Sequence, residues 1–129
     1  MIVVKSDRAA YFDVDETLVL MDDMNIQHMD LTIIEDAKHN IFARVIPHRA
    51  HIQKMKEHAS RGHPVFVWSA GGWAWANAVI CSLGLKEYVT AIIPKGPWSW
   101  DDKMPNEFLT NCYIKPPADT KEEEQCLNF

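Results

Sequence analysis

Two aspartates two positions apart, followed by a threonine two positions later, give the chain its clearest chemical signal. Asp13, Asp15 and Thr17 come directly after the apolar run at residues 9–12. One carboxylate of such a pair can attack phosphorus and form an aspartyl-phosphate, while its neighbour acts as a general acid and then as a general base. The pair therefore predicts phosphoryl transfer.

Three further polar groups each follow an apolar run later in the chain. Ser69 follows residues 64–68, Lys95 follows residues 89–93, and the pair Asp101 and Asp102 follows residues 98–100. Polar side chains just beyond the carboxyl ends of parallel strands converge on one crevice. There a lysine and a magnesium ion (Mg2+) would offset the charge of the phosphoryl oxygens.

The elements that must position these groups are predicted from hydrophobic patterning and turn signals. Strands are expected at 9–14, 64–68, 89–93 and 98–100, and helices at 48–61, with Pro47 in the first turn, and at 73–83. The runs 31–34 and 41–46, separated by the polar residues 35–40, predict a small β-hairpin flap. The alternation predicts an α/β fold with a parallel sheet flanked by helices.

One spacing departs from that plan. Only four residues, Pro94 to Pro97, separate the third and fourth predicted strands, whereas a parallel crossover needs about a dozen or more. Either the third strand is misplaced, or the crossover is trimmed and Lys95 lies on a loop leading straight into Asp101 and Asp102.

The order and spacing of these groups resemble the four motifs of the haloacid dehalogenase superfamily of phosphohydrolases. Residues 13–17 match its first motif, DxDx(T/V), and residues 101–106 match the DDxxxN form of its fourth. The resemblance implies that Asp13 is the nucleophile and a magnesium ligand. Asp15 would be the acid and base, and its backbone carbonyl would also bind the metal. Thr17 would support the loop.

The second, third and fourth motifs complete the site that the resemblance implies. Ser69, with the backbone N–H groups of Ala70 and Gly71, would hold phosphoryl oxygens near a helix N-terminus. Lys95 would be the third-motif lysine, Asp101 would complete the metal site and Asp102 would support it.

The resemblance further implies a Rossmann-like, magnesium-dependent phosphomonoester phosphatase. The interval between Thr17 and Ser69 holds little more than a flap and one helix, so no cap domain is expected. An open site of this kind suits a nucleotide, a nucleic-acid end or a phosphoprotein. The phosphatase domain is expected over residues 1–114, with a polar tail over 115–129.

Composition restricts the other function classes. The 129 residues carry a net charge of −5, which disfavours coating of duplex nucleic acid. Three cysteines without CxxC spacing favour a reduced, cytoplasmic setting. No run is long enough to span a membrane, and the start, MIVVKSDR, does not have the charge order of a secretory signal.

Three alternatives to the phosphatase make different demands on the sequence. A calcium loop would need glycine where Leu18 stands and glutamate where Met24 stands. A receiver-type phosphoacceptor domain would need an aspartate at the end of the middle strand, where the chain has Ser69. A catalytically silent interaction module on the same fold would not need the intact set of acids.

The tryptophans divide into two groups by their neighbours. Trp68 lies inside an apolar strand and Trp75 shares a helical face with Val79, so both are expected in the core. Trp73, four residues after Ser69, is expected to face solvent at the mouth of the site, where its indole could stack on a base or another aromatic leaving group. No role is assigned to the six histidines.

Overall fold

The computed structural model describes residues 1–21, 30–116 and 126–128. The secondary structure within these ranges is, in chain order, β1 (Ala10–Phe12), β2 (Val19–Met21), β3 (Thr32–Asp36), β4 (Ile41–Pro47), α1 (Arg49–Ser60), β5 (Val65–Val67), α2 (Trp73–Ser82), β6 (Ala91–Ile92), β7 (Cys112–Ile114) and β8 (Cys126–Asn128). The chain divides into two units, Met1–Lys95 and Gly96–Phe129, so the division falls before the boundary expected at residue 114. The mixed α/β class is confirmed.

A three-stranded parallel sheet lies at the centre of the first unit. Its order is β1-β5-β6, so β5 is the middle strand, and Ala10 pairs with Val65 while Phe66 pairs with Ala91. Val65 and Val67 are fully buried, as expected for a β-branched run in a covered strand. Polar residues that follow these strands therefore share one edge of the sheet.

Two helices pack against this sheet and supply much of the core. Helix α1 contacts β1 and β5 and buries Ile52 and Met55, three residues apart, as an amphipathic helix requires. Helix α2 contacts β6 and β3 and buries Ala76, Val79 and Ile80. Both helices are confirmed within two residues of their predicted ends.

The start of α1 differs from the prediction in one detail. Pro47 was expected in the first helical turn, but it is the last residue of β4 and pairs with Val19. The helix is capped instead by His48, whose Nδ1 accepts a hydrogen bond from the backbone N–H of His51 at 3.3 Å. An imidazole nitrogen thus satisfies an amide that Asp, Asn, Ser or Thr would ordinarily cap.

The flap is a three-stranded antiparallel sheet with the order β2-β4-β3. The predicted hairpin is confirmed as β3 and β4, joined by a short 3-10 turn that closes at Asn40 in the left-handed conformation, φ 58°. The strand β2, which follows the first motif directly, pairs with the other side of β4 and was not predicted. The flap is therefore tied to the motif by the chain itself.

The second unit contains a short antiparallel pair, β7 with β8. The predicted fourth strand at 98–100 is wrong: these residues form no strand, and Trp98 and Trp100 are 85% and 98% exposed. Their aromatic character favours a strand locally, but no neighbouring strand pairs with them. Within the predicted polar tail, residues 126–128 pair with residues 112–114. The charged run 121–124 lies outside the described residues.

None of the helices seen in the described ranges has the length and apolar character needed to cross a bilayer.

Candidate active site

The first-motif loop is wound around one buried valine. Val14 is fully buried, and its carbonyl oxygen accepts hydrogen bonds from the N–H groups of Thr17, Leu18 and Val19 at 2.9–3.2 Å. Glu16 takes a left-handed conformation, φ 60°, and its N–H donates to the Val19 carbonyl at 2.8 Å. The tight turn fixes the backbone on both sides of the predicted catalytic pair.

Asp13 lies close to a lysine that follows β6, the strand on the opposite side of β5 from β1. Lys95 Nζ lies 3.5 Å from Asp13 Oδ1, and both side chains are partly exposed. The same Nζ lies 6.0 Å from the centroid of the Trp68 ring, at the outer limit of a cation–π contact. Lys95 lies on the loop that follows β6, which falls inside the predicted third strand. Because residues 98–100 form no strand, neither a misplaced third strand nor a trimmed crossover describes the arrangement.

Ser69 lies between these two groups in the order of the sheet. Ser69 follows β5. The backbone N–H of Trp68, the residue before it, donates to the Phe12 carbonyl at 3.0 Å, so the β1–β5 ladder extends to the residue before Asp13. The side chain of Ser69 is only 7% exposed, and its Oγ accepts a hydrogen bond from the Gly71 N–H at 3.0 Å. The hydroxyl proton of Ser69 remains able to donate.

The Gly71 N–H, predicted to hold a phosphoryl oxygen, has a partner within the protein. It donates to Ser69 Oγ and so orients that hydroxyl. A Cβ at this position would lie 3.0 Å from Trp75 Cδ1 and 3.3 Å from Ser69 Oγ, so a side chain here would push these neighbours away by a few tenths of an ångström. Of the two predicted backbone donors, Ala70 is the one left for a ligand.

Trp75 is a site residue that the sequence did not reveal. It packs against the core as predicted, but its Nε1–H donates a hydrogen bond to Asp15 Oδ1 at 2.7 Å. The contact joins residues sixty positions apart. The sequence near Trp75 does not reveal the contact, because the position of the first-motif loop relative to α2 is not visible in local spacing.

Thr17 contributes to the site through its backbone. Its carbonyl oxygen lies 2.7 Å from His51 Nδ1, so the imidazole donates to it and links the motif loop to α1. The His51 ring stacks on that of His48, with centroids 3.7 Å apart, and both side chains are buried. Burial lowers the pKa of His51, which favours the neutral ring.

Trp73 is 64% exposed at the start of α2. Its ring meets that of His39, from the tip of the flap, edge-to-face with centroids 5.1 Å apart. His39 Nδ1 in turn lies 2.6 Å from Asp36 Oδ2, and this hydrogen bond lowers the pKa of Asp36. The exposure agrees with the prediction, and the partner shows that the indole contacts the flap.

Asp101 and Asp102 belong to the second unit, where both are exposed. Asp101 Oδ1 accepts a hydrogen bond from the backbone N–H of Lys103 at 3.1 Å. The residues before them form no strand, whereas the sequence predicted that the pair follows the end of a strand.

The donor set of the first unit fits magnesium in type. This ion prefers oxygen ligands and is held by one or two carboxylates, with water and substrate oxygens completing its shell. Asp13 offers such a carboxylate and Asp15 a neighbouring backbone carbonyl. Within residues 1–21, 30–116 and 126–128, no three His, Cys, Asp or Glu side chains cluster in a way that could hold a metal.

No protein-family model, curated protein or solved structure matches the chain.

Proposed function

We propose that the chain is a magnesium-dependent phosphomonoester hydrolase of the haloacid dehalogenase superfamily, with a Rossmann-like sheet and no cap domain. The observation that carries the proposal is the meeting of three strand ends: Asp13 after β1, Ser69 after β5, and Lys95, whose Nζ lies 3.5 Å from Asp13 Oδ1. A carboxylate, a hydroxyl and an ammonium at one sheet edge are the groups that phosphoryl transfer requires.

The reaction assigned to these residues has two steps. An Asp13 carboxylate oxygen attacks phosphorus, the bond to the ester oxygen breaks, and Asp15 gives that oxygen its proton, so an aspartyl-phosphate and a free alcohol result. Asp15 then takes a proton from water as the water oxygen attacks phosphorus. The bond to Asp13 breaks, and inorganic phosphate leaves.

The remaining groups bind and neutralise charge. Lys95 and the Ser69 hydroxyl would donate to the phosphoryl oxygens, together with the Ala70 N–H. In the first unit, Asp13 and the Asp15 carbonyl would hold Mg2+. The motif resemblance also assigns Asp101 as a magnesium ligand and Asp102 as its support. The metal supplies positive charge against the phosphoryl oxygens when bound.

The natural substrate class that suits an open site is a nucleotide, a nucleic-acid end or a phosphoprotein. The flap, α1 and β5 are the structured elements described between Thr17 and Ser69, which supports a site without a cap. Cys81 and Cys112 are exposed free thiols, which supports a reduced, cytoplasmic setting.

The receiver-type alternative is disfavoured by the strand order. A receiver carries its acceptor aspartate after the middle strand of the sheet, but here β5 is the middle of the three described parallel strands and Ser69 follows it. A silent module would keep the fold without turnover.

Repeated release of phosphate from 4-nitrophenyl phosphate separates the three possibilities. The phosphatase turns over many times with magnesium and stops with EDTA, a receiver domain accepts at most one phosphoryl group, and a silent module releases none. Asp13→Asn is the matched control, because the amide keeps the shape of the side chain and removes the nucleophile. Absence of turnover by the wild-type protein with magnesium would refute the proposal.

A further inference from the structure

A groove of about 360 Å³ lies beside Asp15, between the flap and the first turn of α2. Its lining includes four consecutive flap residues, from Asn40 to Ala43, together with Met21, Gly71 and Trp75. The groove therefore belongs wholly to the first unit and borders one of the two predicted catalytic carboxylates.

Asp15 is oriented within this groove by its hydrogen bond. Oδ1 accepts from the Trp75 N–H at 2.7 Å, so Oδ2 is the oxygen left to carry a transferable proton. A general acid must lie within hydrogen-bond reach of the leaving oxygen that it protonates. If Asp15 has the role proposed above, the leaving group begins at its carboxylate, and the groove is the space that continues from it.

The walls of the groove are mainly apolar and carry no cation. The apolar lining residues are Met21, Ile41, Phe42, Ala43 and Trp75. Apart from Asp15, the polar side chain in the described lining is the neutral amide of Asn40. A leaving group with further phosphates would find no counter-charge in this lining.

Two aromatic rings give the lining a preference among apolar groups. Phe42 is 69% exposed on β4, and the half-buried Trp75 also lines the groove. Stacked or edge-to-face aromatic pairs gain energy beyond their buried area. We propose that this groove binds the leaving group of the phosphomonoester and selects a flat, uncharged aromatic one. The inference rests on the proposed phosphatase activity.

The test compares two esters of matched reactivity with the full-length protein and magnesium. One is phenyl phosphate, and the other is a fluorinated alkyl phosphate whose alcohol is as acidic as phenol. We expect the KM of wild-type protein to be lower for phenyl phosphate by about tenfold, the effect of about 1.4 kcal/mol of aromatic contact. A phosphotyrosyl peptide and a nucleoside 5′-monophosphate then distinguish the two sources of an aromatic ring.

Phe42→Ala supplies the structural arm of the test. It should raise the KM for phenyl phosphate about fivefold and leave that for the alkyl ester unchanged. Since Phe42 is largely exposed, the variant is expected to fold. Ile33→Ala is the matched control, because Ile33 lies on β3 of the same flap, is 42% exposed and does not line the groove.

The outcomes separate the two proposals. Turnover of both esters with equal KM, unchanged in Phe42→Ala, would overturn the groove assignment and leave the phosphatase proposal intact. An equal rise in KM for both esters would also overturn it. If the wild-type protein hydrolyses neither ester, the proposed function itself fails, and the groove assignment fails with it.

Discussion

Replacement of Trp75 by phenylalanine tests whether the Trp75–Asp15 contact serves catalysis. The change keeps an aromatic ring against the core and removes the Nε1–H that donates to Asp15 Oδ1 at 2.7 Å. Without that donor, the Asp15 carboxylate is free to rotate. It then spends less of its time where it can protonate a leaving oxygen beside the groove.

The size of the effect follows from the type of bond. A hydrogen bond to a charged group contributes about 1.5–3 kcal/mol, and Asp15 is exposed, so the lower end applies. About 1.4 kcal/mol is one factor of ten in rate. We therefore expect kcat to fall about tenfold for an alkyl phosphate, whose leaving oxygen needs the proton, and to change less than about twofold for 4-nitrophenyl phosphate.

The assay is steady-state kinetics on both esters for wild-type protein, Trp75→Phe and Trp73→Phe. Trp73 begins the same helix, and its ring contacts His39, so its replacement controls for loss of an indole near the flap. Thermal unfolding of each variant separates a loss of folded protein from a loss of rate. Equal losses of kcat on both esters, or no loss on either, would refute the positioning role.

Three further perturbations test the other groups. Asp13→Asn should reduce turnover more than about a hundredfold without changing the midpoint of thermal unfolding, and activity above about one hundredth of the wild-type level contradicts its role as nucleophile. Asp101→Ala should raise the magnesium concentration needed for half-maximal activity more than Asp102→Ala does, and the reverse order would move the metal ligand by one residue. Because burial lowers the pKa of His51 below 6.5, the unfolded chain binds more protons than the folded chain just below that pH. The free energy of unfolding should therefore fall as the pH drops from about 6.5 to 5, and it should fall less steeply in His51→Asn. Urea titrations at several pH values measure this dependence, and the same pH dependence in the variant and the wild-type protein would count against this cause.

Local patterns predicted the elements whose hydrophobic faces are set by neighbouring residues. The run that became β5 and the apolar spacing of α1 were sufficient, because burial on one face or both leaves a periodic signature. The same reasoning failed at Trp98 and Trp100, where strand propensity is present but no partner strand lies beside it. Propensity alone does not form a ladder.

The missed parts of the site depend on contacts between distant residues. Nothing in the sequence near Trp75 indicates that its N–H meets Asp15, and its apolar neighbours favour a purely structural role. The engagement of Gly71 by Ser69 Oγ depends on a turn geometry that spacing cannot specify. Convergence of Asp13 and Lys95, in contrast, was predictable, because both follow strands of one parallel sheet.

The parallel pairing of β1, β5 and β6 also has a consequence for the order in which the protein folds. In the flap, β3 pairs with β4 across a short turn. In contrast, β1 pairs with β5 although the whole flap and α1 lie between them in the sequence. Hairpins close in about 1–10 μs, but pairing at long sequence separation is slower, because loop closure costs entropy before any contact is gained. Asp13, Ser69 and Lys95 each follow a different strand of this late-forming sheet. Regain of activity during refolding should therefore lag behind the formation of the flap and report the final assembly step.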